Sequence, residues 1–373
     1  NSLLKPEAPR ALVTMPAPGV PSGEAMESAG PPRPSATAGG GADPALAMAA
    51  IMENQVEEMR KMLNKFKVCS GQSGDMAGAL PGHADILIFG PSGSGKSSLI
   101  RTFYMALNKT QQVPPDFAER IIVKDTAMNE GTLKYVSAVI KPAKLDNRGN
   151  ILSSSILCHD TRGQIWMDER EQKQLSVIMD GHVKDDCMVQ QRNYRYARLL
   201  WEFWKRDSEL FPPEILANGK GLNNQPHAVL FVFDGSVEEI PDGEEETRFY
   251  REIIQMCRSK GYANPQVVLT RIDRVEEGIA KSSGKASMAD RELMLRQVLD
   301  RKIEDVCMRL DVPRTAVHFI ENYHSGVLDL EQEVRNISVD FHALKILSQC
   351  CSHADTFIAQ ALQDLRPAPC AIQ

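Results

Sequence analysis

Among its eight cysteines and eight histidines the chain has no CxxC pair, no HExxH and no clustered carboxylate–histidine motif. That excludes the usual zinc signatures and leaves no metal site in prospect beyond one that a nucleotide would bring. Cys350 and Cys351 are adjacent, a weak signal. Long apolar runs are missing too. Nothing approaches the roughly 20 residues of a membrane span, and no compact apolar core follows a basic region near the N terminus, so no signal peptide is expected. The first residue is not methionine, which suggests a processed, trimmed or incomplete N terminus. Basic excess is also lacking. Lys plus Arg is 43 against 49 Asp plus Glu, a net charge of −6, which argues against nucleic acid or anionic membrane as the main partner. The expected location is therefore cytoplasmic, with reduced thiols filling the core.

Glycine and proline are unevenly placed. They make up 15 of residues 1–48 but only 32 of the following 325. A segment so poor in large apolar residues cannot offset its ordering entropy, so 1–48 reads as a disordered Pro/Gly/Ala-rich tail. In 47–67, Met52, Val56, Met59, Leu63 and Phe66 form one apolar helical face. It suits a helix docked on the main domain, or a short coiled coil. Residues 69–82 read as a link, so 49–82 is taken as amphipathic helix plus linker.

Strand and helix signals then alternate. Strands are expected at 84–90, 133–140, 151–158, 227–233, 266–270 and 316–321, and helices at 97–108, 190–206, 244–260, 286–310 and 339–365. Interleaving of this kind predicts an α/β fold: a mostly parallel sheet with helices on both faces, plus a C-terminal helix. Residues 83–330 would be the nucleotide-binding domain and 331–373 a C-terminal helical segment.

The strongest chemical signal is Gly90-Pro-Ser-Gly-Ser-Gly95-Lys96-Ser97, which fits GxxxxGK[ST] at every fixed position. It lies between a buried strand and a helix, as a P-loop NTPase requires. Backbone N–H groups of Gly90, Ser92, Gly93, Ser94 and Gly95, with the first turn at Ser97 and Ser98, would converge on phosphate oxygens. Lys96 would reach the β and γ phosphates, and Ser97 would ligate Mg²⁺. Such a loop also serves ATP-binding cassettes, whose LSGGQ-like signature is missing here, and nucleotide kinases.

The second motif, His159–Gln164, contains DxxG at a strand end. Asp160 would hold Mg²⁺ through water, and the Gly163 N–H would meet the γ phosphate. Gln164 occupies the place from which a carboxamide orients attacking water. Arg162 offers a cis-acting cation, but a surface ion pair suits it better. The remaining Mg²⁺ ligand is expected at Thr132, with Thr126 as competitor. At 270–273, Thr-Arg-Ile-Asp follows a strand end, where GTPases carry [NT]KxD. Asp273 would accept two guanine N–H groups, Thr270 would support the loop, and the aliphatic stem of Arg271, replacing lysine, would cover the base. Its bland reading is an ion pair of Asp273 with Arg271 or Arg274. Asn322 falls in the last candidate base loop, although no SAK-like triplet is present.

In this order, GPSGSGKSSL, HDTRGQ, Ile178–Val183, 227–236, VLTRID and 321–323 resemble the interferon-induced protein 44-like family of GTPase-like proteins, over roughly 84–360. The resemblance implies a Ras-like G domain that binds GTP/GDP with Mg²⁺. Asp160 to Asp273 is longer than a minimal domain needs, so 165–226 reads as a helical insertion. It holds all three tryptophans and the aromatic cluster Tyr194, Tyr196, Trp201, Phe203 and Trp204, read as a packed helix or as a surface for effectors or self-association. The acidic run 237–246 reads as a solvated loop. Three functions stay open: a slow or partner-activated GTPase switch, a nucleotide-stabilised scaffold, and a nucleotide kinase.

Overall fold

A computed structural model of the chain describes residues 44–70, 80–122, 134–161, 163, 167–188, 211, 216, 221–284, 286–323 and 335–364. All of them belong to the unit Pro44–Gln373. The tail reading and the aromatic cluster of the insertion lie outside the described residues, apart from the tail's last turn.

That last turn is helical. Helix α1 spans Pro44–Lys65 and so takes in the last five residues of the expected tail. Proline is compatible with the first helical position, and the following alanines favour continuation. The expected apolar face is the one that docks: Val56 and Leu63 are buried, and Met59 and Phe66 pack against the core. The exit of α1 is held by Lys141, whose buried Nζ donates to the carbonyls of Leu63 at 3.0 Å and Asn64 at 3.3 Å. A cation there satisfies terminal carbonyls and favours the negative end of the helix dipole.

The sheet comprises β1 (His83–Phe89), β2 (Lys134–Lys141), β5 (Ser155–Asp160), β6 (Cys187–Met188), β7 (Ala228–Asp234), β8 (Gln266–Thr270) and β9 (Val317–Phe319). Its order is β6-β2-β5-β1-β7-β8-β9. Four pairings are parallel, β5 with β1, β1 with β7, β7 with β8 and β8 with β9, whereas β2 runs antiparallel to both of its neighbours. The run expected as one strand at 151–158 is broken. Its first part, β4 (Ile151–Ser153), pairs with β3 (Lys144–Leu145) in a separate hairpin. Ser154 then leaves the ladder: its N–H donates to the Phe66 carbonyl and its Oγ accepts from the Val68 N–H.

The central strands are buried on both faces, as β-rich apolar runs in parallel sheets are. On one face lie α2 (Lys96–Asn108) and α8 (Ile337–Asp364), with α1 against α8. Helix α8 had the look of an appendage, yet Leu344, Leu347, Cys350, Cys351, Ala354, Ile358 and Leu362 are core residues. On the other face α5 (Gly243–Ser259) seats Tyr250 edge-on to Phe89, Phe231 and Phe233. The acidic run is a loop only to Asp242; Glu244–Glu246 form the first turn of α5, where carboxylates complement the helix dipole.

Among the described residues, α3 (Pro115–Arg120) and α6 (Ile272–Ser282) escape the sequence reading, whereas α4 (Glu169–Met179) falls within the expected helical insertion 165–226; α6 is followed by α7 (Met288–Leu310). Asp168 caps α4 by accepting from the N–H groups of Arg170 and Glu171, and the Glu171 carboxylate accepts from the N–H of Met167, the residue before the cap. Ile272, Val275 and Ile279 carry helical spacing in α6.

His227, at the start of β7, is fully buried. Its Nδ1 accepts from the Asp85 N–H at 3.0 Å, so Nε2 carries the hydrogen donated to the Leu222 carbonyl. Burial pushes its pKa down from 6.5 to about 4. The unfolded chain therefore takes up a proton as pH falls below 6.5 while the folded chain does not, and stability is lost between 6.5 and 4. His227→Asn keeps an acceptor for Asp85. In urea titrations across that window it should remove about 3 kcal/mol of the acid-induced loss. An unchanged slope would contradict the assignment.

Candidate functional site

Strand order reverses at β1, so the crevice beyond its carboxyl end, between β5 and β7, is the topological switch point where open α/β sheets place ligands. The Gly-rich loop opens there. Gly90 has φ 152°, and a Cβ on it would stand 2.1 Å from the Val232 carbonyl oxygen of β7. Gly93 and Gly95 take φ 77° and 91°, values that glycine adopts without strain. Gly95 precedes α2 with no side-chain cap, at the helix end whose first N–H groups have no intrahelical acceptor and favour an anion.

Lys96 is buried, and its Nζ donates to the carbonyls of Gly90 at 3.0 Å and Pro91 at 2.8 Å, folding the ammonium over the loop. Burial pushes its pKa down to about 8, and Asp160 pulls it back up. Ser97 and Asp160, expected as metal ligands from opposite sides of the site, meet: Ser97 Oγ donates to Asp160 Oδ2 at 2.5 Å. Ser98 occupies the same first turn and accepts through its carbonyl from Thr102 Oγ1. Asp160 ends β5, and the next residue, Thr161, donates Oγ1 to the Ile88 carbonyl of β1, pinning the strand exit to the loop's own strand. Gly163 then runs against the loop: a Cβ on it would come within 2.5 Å of the Ser92 Cα. Ser92 and Gly93 are exposed, whereas Ser94 is buried.

The third segment closes onto the same loop. Thr270 is fully buried at the end of β8, and its Oγ1 donates to the Ser94 carbonyl at 2.7 Å. Arg271 takes a left-handed conformation, φ 59°, at the N-cap of α6. Its guanidinium donates to the Gly93 carbonyl at 2.6 Å and pairs with Asp234 at the end of β7. Asp234 was not singled out from sequence, although it lies in the quoted stretch 227–236. It also accepts from the Ser236 N–H and Oγ, the local turn that an Asp-Gly-Ser end favours. Asp273 sits in the first turn of α6, partly exposed. Asn322 follows β9, largely buried, with Nδ2 3.4 Å from the Gly95 carbonyl and Oδ1 buried without a hydrogen-bond partner.

Thus the structure gathers Gly90–Ser98, Asp160, Gly163, Thr270, Arg271 and Asn322 around one loop and puts Asp273 beside them. Thr132, its competitor Thr126, Arg162 and Gln164 lie outside the described residues. Hydroxyl and carboxylate oxygens at Ser97 and Asp160 are hard donors of the kind Mg²⁺ takes, with few protein ligands and the rest from phosphate and water. Among the described residues no group of three or more His, Cys, Asp or Glu is arranged to hold a metal, and no helix is long and apolar enough to cross a membrane.

Fold and loop together define a P-loop α/β domain. No protein-family model and no curated protein matches the chain. Among solved structures it is similar to Toc33 from Arabidopsis thaliana. A dimerization-deficient mutant gives a TM-score of 0.42 at 11% identity, covering 82% of this chain and 92% of that one. Toc33 with GDP and Mg²⁺ gives 0.37 at 12%, covering 82% and 92%. Toc33 with Mg²⁺ and GMPPNP gives 0.39 at 10%, covering 82% and 93%. Likeness of this degree carries nothing further about this chain.

Proposed function

We propose that the protein binds guanine nucleotide with Mg²⁺ and acts as a slow or partner-activated GTPase switch in the cytoplasm. One observation carries the reading: three strand ends, β1, β5 and β8, bring a phosphate loop, an Asp160–Gly163 segment and a Thr270–Asp273 segment onto the same backbone, with Ser97 on Asp160 and Thr270 on Ser94. In this reading Lys96 leaves its two loop carbonyls for the β and γ phosphates. Backbone N–H groups of the loop and of the first turn of α2 would meet the phosphate oxygens. Ser97 and Asp160, with Thr132, would hold Mg²⁺, which supplies charge neutralisation on the phosphates. Gly163, packed on Ser92, would report the γ phosphate through its N–H, and Gln164 would orient water. Asp273 would read the guanine N1–H and 2-amino groups, with the stem of Arg271 over the base. Membership of the interferon-induced protein 44-like family, and self-association or effector binding through 165–226 or the terminal helices, belong to the same proposal.

Calorimetry of the full chain with GTP, GDP and ATP tests it. Guanine nucleotides should bind more tightly than ATP. Asp273→Asn should narrow that preference by about 1–3 kcal/mol, the worth of a bidentate base contact. Equal binding of ATP and GTP by the wild type would refute the base site. Turnover separates switch from scaffold: Gln164→Ala should slow hydrolysis while leaving GDP affinity unchanged.

A further inference from the structure

Asn322 and Tyr323 lie between β9 and α8, and their position is built from well outside the nucleotide loop. The Tyr323 N–H donates to Thr102 Oγ1 at 3.0 Å, on the helix that begins with Lys96 and Ser97. The Tyr323 hydroxyl donates to Asp340 Oδ1 of α8 at 2.9 Å. Asp340 is a fully buried carboxylate, and its other oxygen accepts from Arg60 of α1 at 3.0 Å and from Arg335. Arg60 is itself buried and donates Nε to the Ala106 carbonyl of α2 at 2.9 Å. A carboxylate this deep is tolerated only while its cations and donors are in place. The chain of bonds thus runs from a helix that precedes the first strand, through α8, to the residue beside Asn322.

We propose that Arg60, Asp340 and Tyr323 are positioning residues that hold Asn322 against Gly95, so that helix α1 sets guanine-nucleotide affinity without touching the nucleotide. This rests on the guanine-nucleotide reading above. Removing the Tyr323 hydroxyl or the Arg60 cation frees the loop on its α8 side. The loss falls on the side of the site formed by Asn322, Thr270 and Asp273, where the base is placed. Because binding couplings are reciprocal, guanine nucleotide would in turn tighten the seat of α1.

The test compares full-length Tyr323→Phe and Arg60→Met with wild type for GDP and ADP affinity, with Ile303→Val in α7 as a control remote from the network. Both variants should lose about fivefold or more in GDP affinity through faster release, lowering the GDP-to-ADP affinity ratio. Arg60→Lys should recover part of the loss, and Ile303→Val should match wild type. Wild-type ratios in both variants, or an equal fall for both nucleotides, overturn the proposal. If the wild type binds neither nucleotide, the guanine-nucleotide reading fails by itself. Amide exchange at Tyr323 then decides: faster exchange in both variants supports the positioning network, and unchanged exchange refutes it.

Discussion

Lys96→Ala should lose GDP and GTP binding, by about 30-fold at the least and up to several thousandfold. That is the range for truncating one member of a desolvated charge pair, 2–5 kcal/mol at about 1.4 kcal/mol per decade. The expectation follows from where the ammonium is. It is buried and donates to Gly90 and Pro91 at 3.0 and 2.8 Å, directly over the uncapped start of α2. Burial has already pulled its pKa down to about 8, so a lone cation gains little from this place. A phosphate chain would convert that unfavourable position into a paired one. Binding and folding should therefore separate: calorimetry should show the loss while the melting temperature stays near wild type. Wild-type affinity in the variant would remove the phosphate site from consideration.

What could be read from the chain alone follows the range of the interactions. The phosphate loop is local: eight consecutive residues carry its glycines, lysine and serine, and a buried strand and helix flank it. Asp160 and Thr270 were legible because each ends a short apolar strand, and strand ends on one edge of a parallel sheet converge. The docked face of α1 was legible from its spacing. The rest depends on partners far away in sequence. Nothing near Arg271 announces that it pairs with Asp234, 37 residues earlier, or nothing near Tyr323 that its hydroxyl meets Asp340 and its N–H meets Thr102. The break at Ser154 arises because Phe66 and Val68, more than 80 residues upstream, take its hydrogen bonds. Strand order has the same character. The apolar runs show which segments are strands, but the placement of β1 between β5 and β7 is a property of the assembled sheet. Helix α6 was missed for another reason: its short apolar stripe follows directly on the Thr270–Asp273 motif, which drew the reading toward a loop.

Gly90→Ala should damage the fold itself, by about 3 kcal/mol or more, the upper range for a rigid steric insertion. Its Cβ would lie 2.1 Å from the Val232 carbonyl oxygen and 3.1 Å from that residue's carbonyl carbon. Val232 is fully buried in β7 and in register with Val268 of β8, so the obstacle is backbone in the middle of the sheet and no side-chain rotation relieves it. Gly93→Ala is the matched comparison. It also has positive φ, 77°, but nothing lies within 4 Å of its added Cβ, so only the conformational penalty of about 1–2 kcal/mol applies. Urea denaturation of both variants should give a clearly larger loss for Gly90, or an insoluble protein, and a soluble folded protein for Gly93. The comparison bears on function because the two glycines serve different ends. Gly90 lets the chain leave β1 pressed against β7, which aims the loop into the crevice between β5 and β7. Gly93 shapes the exposed rim whose carbonyl Arg271 holds. A Gly90→Ala protein as stable as wild type would mean that β1 does not leave the sheet along this path, and the convergence of the three segments on one loop would fall with it.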